Sequence, residues 1–400
     1  MMSLFDKFQS LSDARHALIQ TKPSPIGTHI DEVLSSTEGR VDGRSVILAG
    51  TNNYLGLTFD PDCIAAAHDA LDREGTGTTG SRMANGSYAS HVHLEEELAR
   101  FFARPSAVVF STGYVANLGL IGTLAGPDDV IMLDADCHAS IYDACRLTGA
   151  DIIRFRHNDA SDLEKRLRRL GERTANTLIV VEGIYSMLGD RAPLREIVAV
   201  KRRHGGYLLV DEAHSLGVLG AHGRGLAEAE GVEADVDFVV GTFSKSLGAI
   251  GGFATSHHPQ LDMIRYASRP YIFTASSSPA TIASVRTALQ IVHSRGELRQ
   301  RLWANAERLY HGLARLGFEL GPEPGPVVAI LLGSPQQGVA FWHGLLDHGV
   351  YVNLVLPPAT PGGRALMRIS VSAAHDTTQI DQIIAAFAAL KPMLDHHEPE

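Results

Sequence analysis

Short apolar runs alternate with helical segments from about residue 46 to residue 280, and this alternation constrains the fold more than any other feature. The apolar runs are residues 107–110, 130–133, 178–181, 207–210 and 238–240; the helical segments among them include 62–74, 91–102 and 116–124. Apolar runs without a polar alternation are expected where a strand is buried on both faces. Strand, helix, strand in this order predicts an α/β protein with a mostly parallel central sheet, covered on both sides. Right-handed crossovers would then gather the carboxyl ends of many strands along one edge, where open α/β sheets bind their ligands.

The chain has 400 residues, enough to bury a large core and to form two domains. The pattern predicts an N-terminal arm over residues 1–45, helical and then turn-rich, a large domain over 46–284, and a smaller α/β domain over 285–400. In that last part a long helical stretch (282–316, with a break near Arg295-Gly296) precedes strands at 327–332, 351–356 and 367–371 and helices at 342–346 and 379–390. A net charge of −10 argues against a nucleic-acid-binding protein. The basic patch Lys165-Arg166-Leu167-Arg168-Arg169 reads as the solvated face of an amphipathic helix. Three cysteines, Cys63, Cys137 and Cys145, without CxxC spacing suggest a reducing cytosol and no disulfide frame. Asp6 and Lys7 interrupt any signal-peptide pattern, and no window of about 18 residues is continuously apolar. A cytoplasmic protein is expected, with peripheral contact at the inner membrane left open. Asp395-His396-His397-Glu398 has metal-ligating residue types but reads as a frayed terminus, so no metal is expected.

The chemistry concentrates where the apolar runs end. Thr242-Phe243-Ser244-Lys245-Ser246-Leu247-Gly248 follows the run 238–240. A lysine held partly out of water can be a neutral amine, the nucleophile that imine formation requires. The neighbouring hydroxyls suit a phosphate. The run 208–210 ends in Asp211-Glu212-Ala213-His214. A carboxylate beside a pyridine nitrogen keeps that nitrogen protonated, which makes the ring of pyridoxal phosphate (PLP) an electron sink. A lysine with an upstream strand-end aspartate is the minimal pair for this cofactor. Ser111-Thr112-Gly113-Tyr114 follows the run 107–110 and opens a helix, a natural anion site. His138 and Ser186 follow the runs 130–133 and 178–181 and would emerge at the same edge. The glycine-rich stretch Gly75 to Arg82 lacks the Gly-Lys-Ser/Thr ending of a P-loop and suits a tight loop against which a substrate lies.

Taken together, from Asn52 to His375, these segments resemble the α-oxoamine synthase family, PLP-dependent transferases of fold type I. The resemblance implies condensation of an amino acid with an acyl thioester and loss of carbon dioxide. It makes Lys245 the cofactor-bonded lysine, Asp211 the pyridinium partner, His214 the donor to the phenolic oxygen and His138 the histidine stacked on the ring. Phosphate and ring contacts fall on Gly113, Tyr114, Ser186, Thr242 and Ser244. Thr274 matches a residue that reaches the phosphate of the neighbouring subunit, so a homodimer with sites at the interface is implied. Asn53 and Arg368 fall at substrate-binding positions, and a planar guanidinium suits the amino-acid carboxylate. The stretches Gly75 to Gly86, Arg269 to Ser276 and Pro357 to Gly362 are similar to a bacterial subgroup that uses L-serine and a long-chain acyl thioester, carried by coenzyme A or an acyl-carrier protein. That subgroup carries an arginine directly before Pro-Pro-Ala-Thr-Pro, where this chain has Leu356. Two alternatives stand beside this expectation. One is glycine or alanine with another acyl thioester. The other is a non-catalytic partner subunit, against which the presence of Lys245 argues.

Overall fold

The computed structural model describes residues 3–9, 11–13, 23–357, 360 and 363–395. Its contacts divide the chain into a larger unit, residues 52–186 with 190–302, and a smaller one, residues 1–51 with 187–189 and 303–400. In chain order the smaller unit begins with β1 (Glu32–Val33), β2 (Glu38–Val41) and β3 (Arg44–Leu48). The larger unit follows with β4 (Ser106–Phe110), β5 (Val130–Asp134), β6 (Asp151–Phe155), β7 (Thr177–Glu182), β8 (Tyr207–Asp211), β9 (Phe238–Thr242) and β10 (Gly252–Ser256). The smaller unit resumes with β11 (Glu319–Leu320), β12 (Val327–Leu331), β13 (Val350–Tyr351), β14 (Asn353–Val355) and β15 (Leu366–Ser370).

The larger unit is built on one sheet in the order β4-β10-β9-β8-β7-β5-β6. Neighbours from β6 through β9 are parallel, and β10 alone runs antiparallel to both of its partners. This is the mostly parallel α/β sheet that the alternation predicts. Every residue of β5, β7 and β9 is buried, which is why these strands read as unbroken apolar runs. Two strands escaped the sequence reading. β6 is an edge strand with Asp151, Ile152 and Arg154 exposed. β10 hides hydroxyls that look turn-like in sequence: Thr255 donates to the Ser106 carbonyl (2.7 Å) and Ser256 to that of Asp237 (2.7 Å).

Local signals start the helices. Asp60 accepts from the Asp62 amide (3.0 Å), with Pro61 opening the helix Pro61–Glu74. Ser278 caps the helix Pro279–Ser294 in the same way, again with proline first. That helix packs on Pro61–Glu74 and on the helix Ala89–Phe101. The long helical stretch does break at Arg295, before the helix Gly296–Arg315. Its first half belongs to the larger unit, so the division falls after residue 302 rather than near 285.

The smaller unit carries two four-stranded sheets, β1-β2-β3-β13 and β11-β12-β15-β14. Its start corrects the sequence reading: residues 32–45 are not a turn-rich connection but hold β1, β2 and the start of β3, while the short strand expected at 46–49 is the rest of β3, parallel to β13. β1 and β2 span only two and four residues, too few for an alternation to show in the sequence. Of the expected helical arm, the described part holds a 3-10 turn, Asp6–Phe8, and helical residues at 9 and 11–13, and residues 1, 2, 10 and 14–22 lie outside the described residues. Phe318 packs edge to face on Phe341 and on Phe387, which are tilted against each other, in the core of this unit. Residues 358, 359, 361 and 362 of the Pro357 to Gly362 stretch and the tail residues 396–400 also lie outside the described residues. Among the described residues all three cysteines are buried and free, and no helix is long and apolar enough to cross a membrane.

Candidate active site

The carboxyl ends of β4, β5, β7, β8 and β9 surround one cavity of about 330 Å³, an ordinary size for a small-molecule site. At one end the helix Gly113–Leu124 begins. The Thr112 side chain caps it by accepting from the Val115 amide (3.0 Å). The amides at Gly113 and Tyr114 head the helix, where no intrahelical acceptor exists. A Cβ on Gly113 would lie 2.8 Å from the Thr242 Cβ, so only glycine lets the helix start this close to β9. Thr242 Oγ1 sits 2.8 Å from Ser244 Oγ and donates to the Gly251 carbonyl (3.0 Å). Lys245 follows on the same turn, half-buried, and Gly248 closes that turn at φ +64°.

At the other end Asp211, the last residue of β8, is 5% exposed. Its Oδ2 accepts from Asn117 Nδ2 (2.8 Å) and its Oδ1 from the Ala213 amide (2.9 Å). His214 Nδ1 is 2.7 Å from the buried Tyr54 hydroxyl. His138 Nδ1 is 2.8 Å from Ser140 Oγ. Burial holds the His138 imidazole below its usual range; Asp211 opposes that shift and Lys245 adds to it. Glu182 ends β7 and accepts from the His138 amide. Burial, and then the charge of Asp211, push its carboxyl well above the carboxylate range.

Eight of the residues singled out in the sequence therefore line one cavity: Gly113, Tyr114, His138, Asp211, His214, Thr242, Ser244 and Lys245. Ser186 lies half-buried on the segment after β7 and is not part of its lining. Thr274 lines a separate small cavity with Arg82 and His91. Asn53 is buried and donates to Thr58 Oγ1 (2.7 Å). Arg368 lies buried on β15 of the smaller unit, donating to Ser370 Oγ (3.0 Å). Leu356 follows β14 there and is half-buried. The loop from Gly75 to Gly86 packs against the segment that holds Thr274: Thr78 Oγ1 is 2.6 Å from Ser276 Oγ, and a Cβ on Gly86 would lie 2.6 Å from it. Arg82 from that loop forms a buried bidentate pair with Glu95 (2.9 and 3.1 Å).

The residues fit pyridoxal phosphate. Two hydroxyls and a helix start suit a phosphate, a buried carboxylate suits a ring nitrogen, and Lys245 supplies an amine in the same cavity. Sequence reasoning passed over Asn117, Ser140, Glu182 and Tyr54 as site residues. Asn117 carried a signal, being a polar side chain in the mostly apolar helix Gly113–Leu124, one turn on from Gly113.

Behind the loop that carries His138 stands a second cluster. His157 bridges two carboxylates, with Nδ1 2.8 Å from Asp134 and Nε2 2.7 Å from Asp190. Asp134 also accepts from the Asp136 amide (2.9 Å), which ties the cluster to the loop. Burial opposes the charge on His157, but bonds from Asp134 and Asp190 outweigh it and raise the imidazole to about 10. A histidine free in the unfolded chain titrates near ~6.5. The native state therefore holds an extra proton between these values, and stability must fall as pH rises through about 10. His157→Ala should cost about 3 kcal/mol at neutral pH, because two carboxylates are left facing each other. The variant should also lose the fall in stability that the wild type shows above ~6.5. Urea unfolding across this pH range checks both.

The sequence model of the family described as Aminotransferase class I and II matches residues 44–387. The serine palmitoyltransferase of Caulobacter vibrioides is 59% identical over 398 residues, covering 100% of this chain and 98% of that one. The solved serine palmitoyltransferase of Sphingomonas wittichii superposes with a TM-score of 0.95 at 50% identity, covering 98% of this chain and 99% of the other. A structure described as SPT with PLP internal aldimine superposes with a TM-score of 0.95 at 48% identity and the same coverage. The chain belongs to the aminotransferase class I and II family and, within it, to the α-oxoamine synthases that include the bacterial serine palmitoyltransferases.

Proposed function

We infer that this chain is a serine C-palmitoyltransferase. It condenses L-serine with a long-chain acyl thioester, with loss of carbon dioxide, to give 3-ketodihydrosphingosine. The observation that carries this reading is the single cavity holding Lys245, Asp211, His138 and a phosphate-binding end, in a chain 59% identical to a serine palmitoyltransferase. When bound, PLP supplies a protonated ring that takes up the electron pair of a bond broken at the α-carbon. Asp211 keeps that ring-nitrogen proton in place. Thr242, Ser244 and the helix start at Gly113 and Tyr114 hold the phosphate end, and Ser186, which lies outside the cavity lining, is assigned a cofactor contact. His214, whose Nδ1 is engaged by Tyr54, is assigned to the phenolic oxygen. Lys245 is the amine that removes the α-proton of serine. His138 covers the ring and donates to the serine carboxylate. Arg368 and Asn53 are assigned to the substrate.

Serine should change the visible spectrum of the PLP-loaded protein at lower concentration than glycine or alanine. Palmitoyl thioester should then yield a product of the mass of 3-ketodihydrosphingosine. Preference for glycine with a short acyl thioester overturns this reading in favour of a related synthase. Leu356, at the position where the resemblance implies an arginine, is the feature that favours testing this substrate panel. Running it with coenzyme A and acyl-carrier-protein thioesters identifies the carrier.

The proposal includes a homodimer in which Thr274 serves the phosphate of the neighbouring subunit. Its neighbour Phe273 is 71% exposed and Tyr266 is 66% exposed, large apolar surface for a lone chain. A monomer in sedimentation overturns the dimer. The protein is placed in the cytoplasm, at the head of sphingolipid synthesis, with peripheral contact at the inner membrane; cell fractionation tests the location.

A further inference from the structure

Asn117 and Ser140 are 2% and 1% exposed, and neither has a role in the chemistry described above. Asn117 Nδ2 reaches two acceptors, Asp211 Oδ2 at 2.8 Å and Ser140 Oγ at 3.0 Å. The opposite amide orientation would set Oδ1 against the Asp211 carboxylate, two acceptors face to face, so the carboxylate decides which way Asn117 points. Both amide hydrogens are then committed, one to Asp211 and one to Ser140.

That commitment determines the next proton. Ser140 Oγ accepts from Asn117 and keeps its own hydrogen to donate, and His138 Nδ1 stands 2.8 Å away. The Ser140 backbone amide points at the same nitrogen, at 3.2 Å. Two donors converge on Nδ1, so Nδ1 carries a lone pair and the imidazole proton sits on Nε2. We propose that Asn117 and Ser140 are positioning residues that fix His138 as the neutral Nε2–H tautomer, while the second amide hydrogen of Asn117 orients Asp211. One asparagine thereby sets both the carboxylate assigned to the ring nitrogen and the imidazole assigned to the ring face. The catalytic part rests on the reading of His138 as the donor to the serine carboxylate, since only a proton on Nε2 leaves a donor there. The charged groups that act on His138 are Asp211, Lys245 and Asp143, and burial disfavours the imidazolium.

The test is nitrogen NMR on the full-length, PLP-loaded protein labelled with ¹⁵N-histidine, His138 being assigned by the signal lost in His138→Gln. The wild type should show an unprotonated Nδ1 and a protonated Nε2 from roughly pH 6 to 8. Ser140→Ala removes one oxygen. It should bring in the second tautomer, let the imidazole protonate about one pH unit higher, and lower serine-dependent kcat about five-fold, the worth of one neutral hydrogen bond. Ser140→Cys, a near-isosteric weak donor, should fall between the two. A protonated Nδ1 in the wild type overturns the proposal whether or not the variants fold. A tautomer unchanged in Ser140→Ala overturns the positioning role. The expected tautomer in a protein that makes no product from serine overturns the assigned function and leaves this inference standing.

Discussion

Lys245→Ala should leave a folded, PLP-binding protein with no measurable condensation. The side chain is half-buried on the turn between β9 and β10, and that turn is closed by the backbone: the Phe243 amide bonds the Gly251 carbonyl (2.9 Å) and the Gly248 amide bonds the Lys245 carbonyl (3.0 Å). Neither bond needs the lysine side chain, so the melting temperature should move little. The end of the cavity proposed for the phosphate, with Thr242, Ser244 and the helix start at Gly113, is also untouched, and PLP should still be retained. What disappears is the amine. Without it no residue bonds the cofactor covalently, and no base of comparable reach is left for the serine α-proton. Loss of a positioned general base alone is worth about 10²–10⁴-fold, and here the covalent attachment goes with it. Borohydride reduction followed by peptide mass analysis gives a readout independent of turnover. The wild type should carry the cofactor's mass on the peptide containing Lys245, and the variant should carry it nowhere. Substantial turnover in the variant overturns the assignment of Lys245.

The positions of these residues were legible because buried parallel strands write themselves as apolar runs that stop abruptly. Asp211, Lys245, His138 and Gly113 each follow such a stop, and each lines the cavity. Residues whose role is to hold another residue leave no comparable mark. Asn117 lies inside a helix and Ser140 is the second residue of another, and what selects them is a partner 94 or 23 positions away in the chain. His157 was illegible for the same reason, since it joins Asp134 and Asp190 from the turn that follows β6, an edge strand that the apolar pattern does not reveal. The smaller unit was harder to read at its start, because β1 and β2 are brief and half-exposed, and periodicity needs length to show.

Asp211→Asn should separate chemistry from stability. The substitution keeps the shape of a side chain that is 5% exposed, and its oxygen can still accept from the Ala213 amide. The removed charge has two effects of opposite sign. For the reaction, a neutral amide cannot hold a proton on the ring nitrogen, so the stabilisation of developing charge is lost where it is greatest. Removing one such preorganised electrostatic contact costs about 10²–10³ in kcat. KM for serine should change far less, because the carboxylate acts on the developing charge rather than on the bound ground state. For the fold, Asp211 is an anion buried beside Glu182, whose carboxyl is pushed up first by burial and then by the Asp211 charge. A carboxyl with a raised native pKa makes the folded state less stable as pH rises past its unfolded value, because the unfolded chain ionises first. Taking away the Asp211 charge lowers that native pKa and weakens the penalty. The new amide at position 211 still meets the Asn117 N–H at the former Oδ2, a donor facing a donor, unless one of the two amides turns over. A turned Asn117 would withdraw its hydrogen bond from Ser140, so the kcat loss should carry with it the His138 tautomer change expected for Ser140→Ala. At neutral pH the melting temperature of Asp211→Asn should hold or rise while kcat collapses. A variant that loses stability and activity together would mean that Asp211 serves the fold before it serves the ring nitrogen.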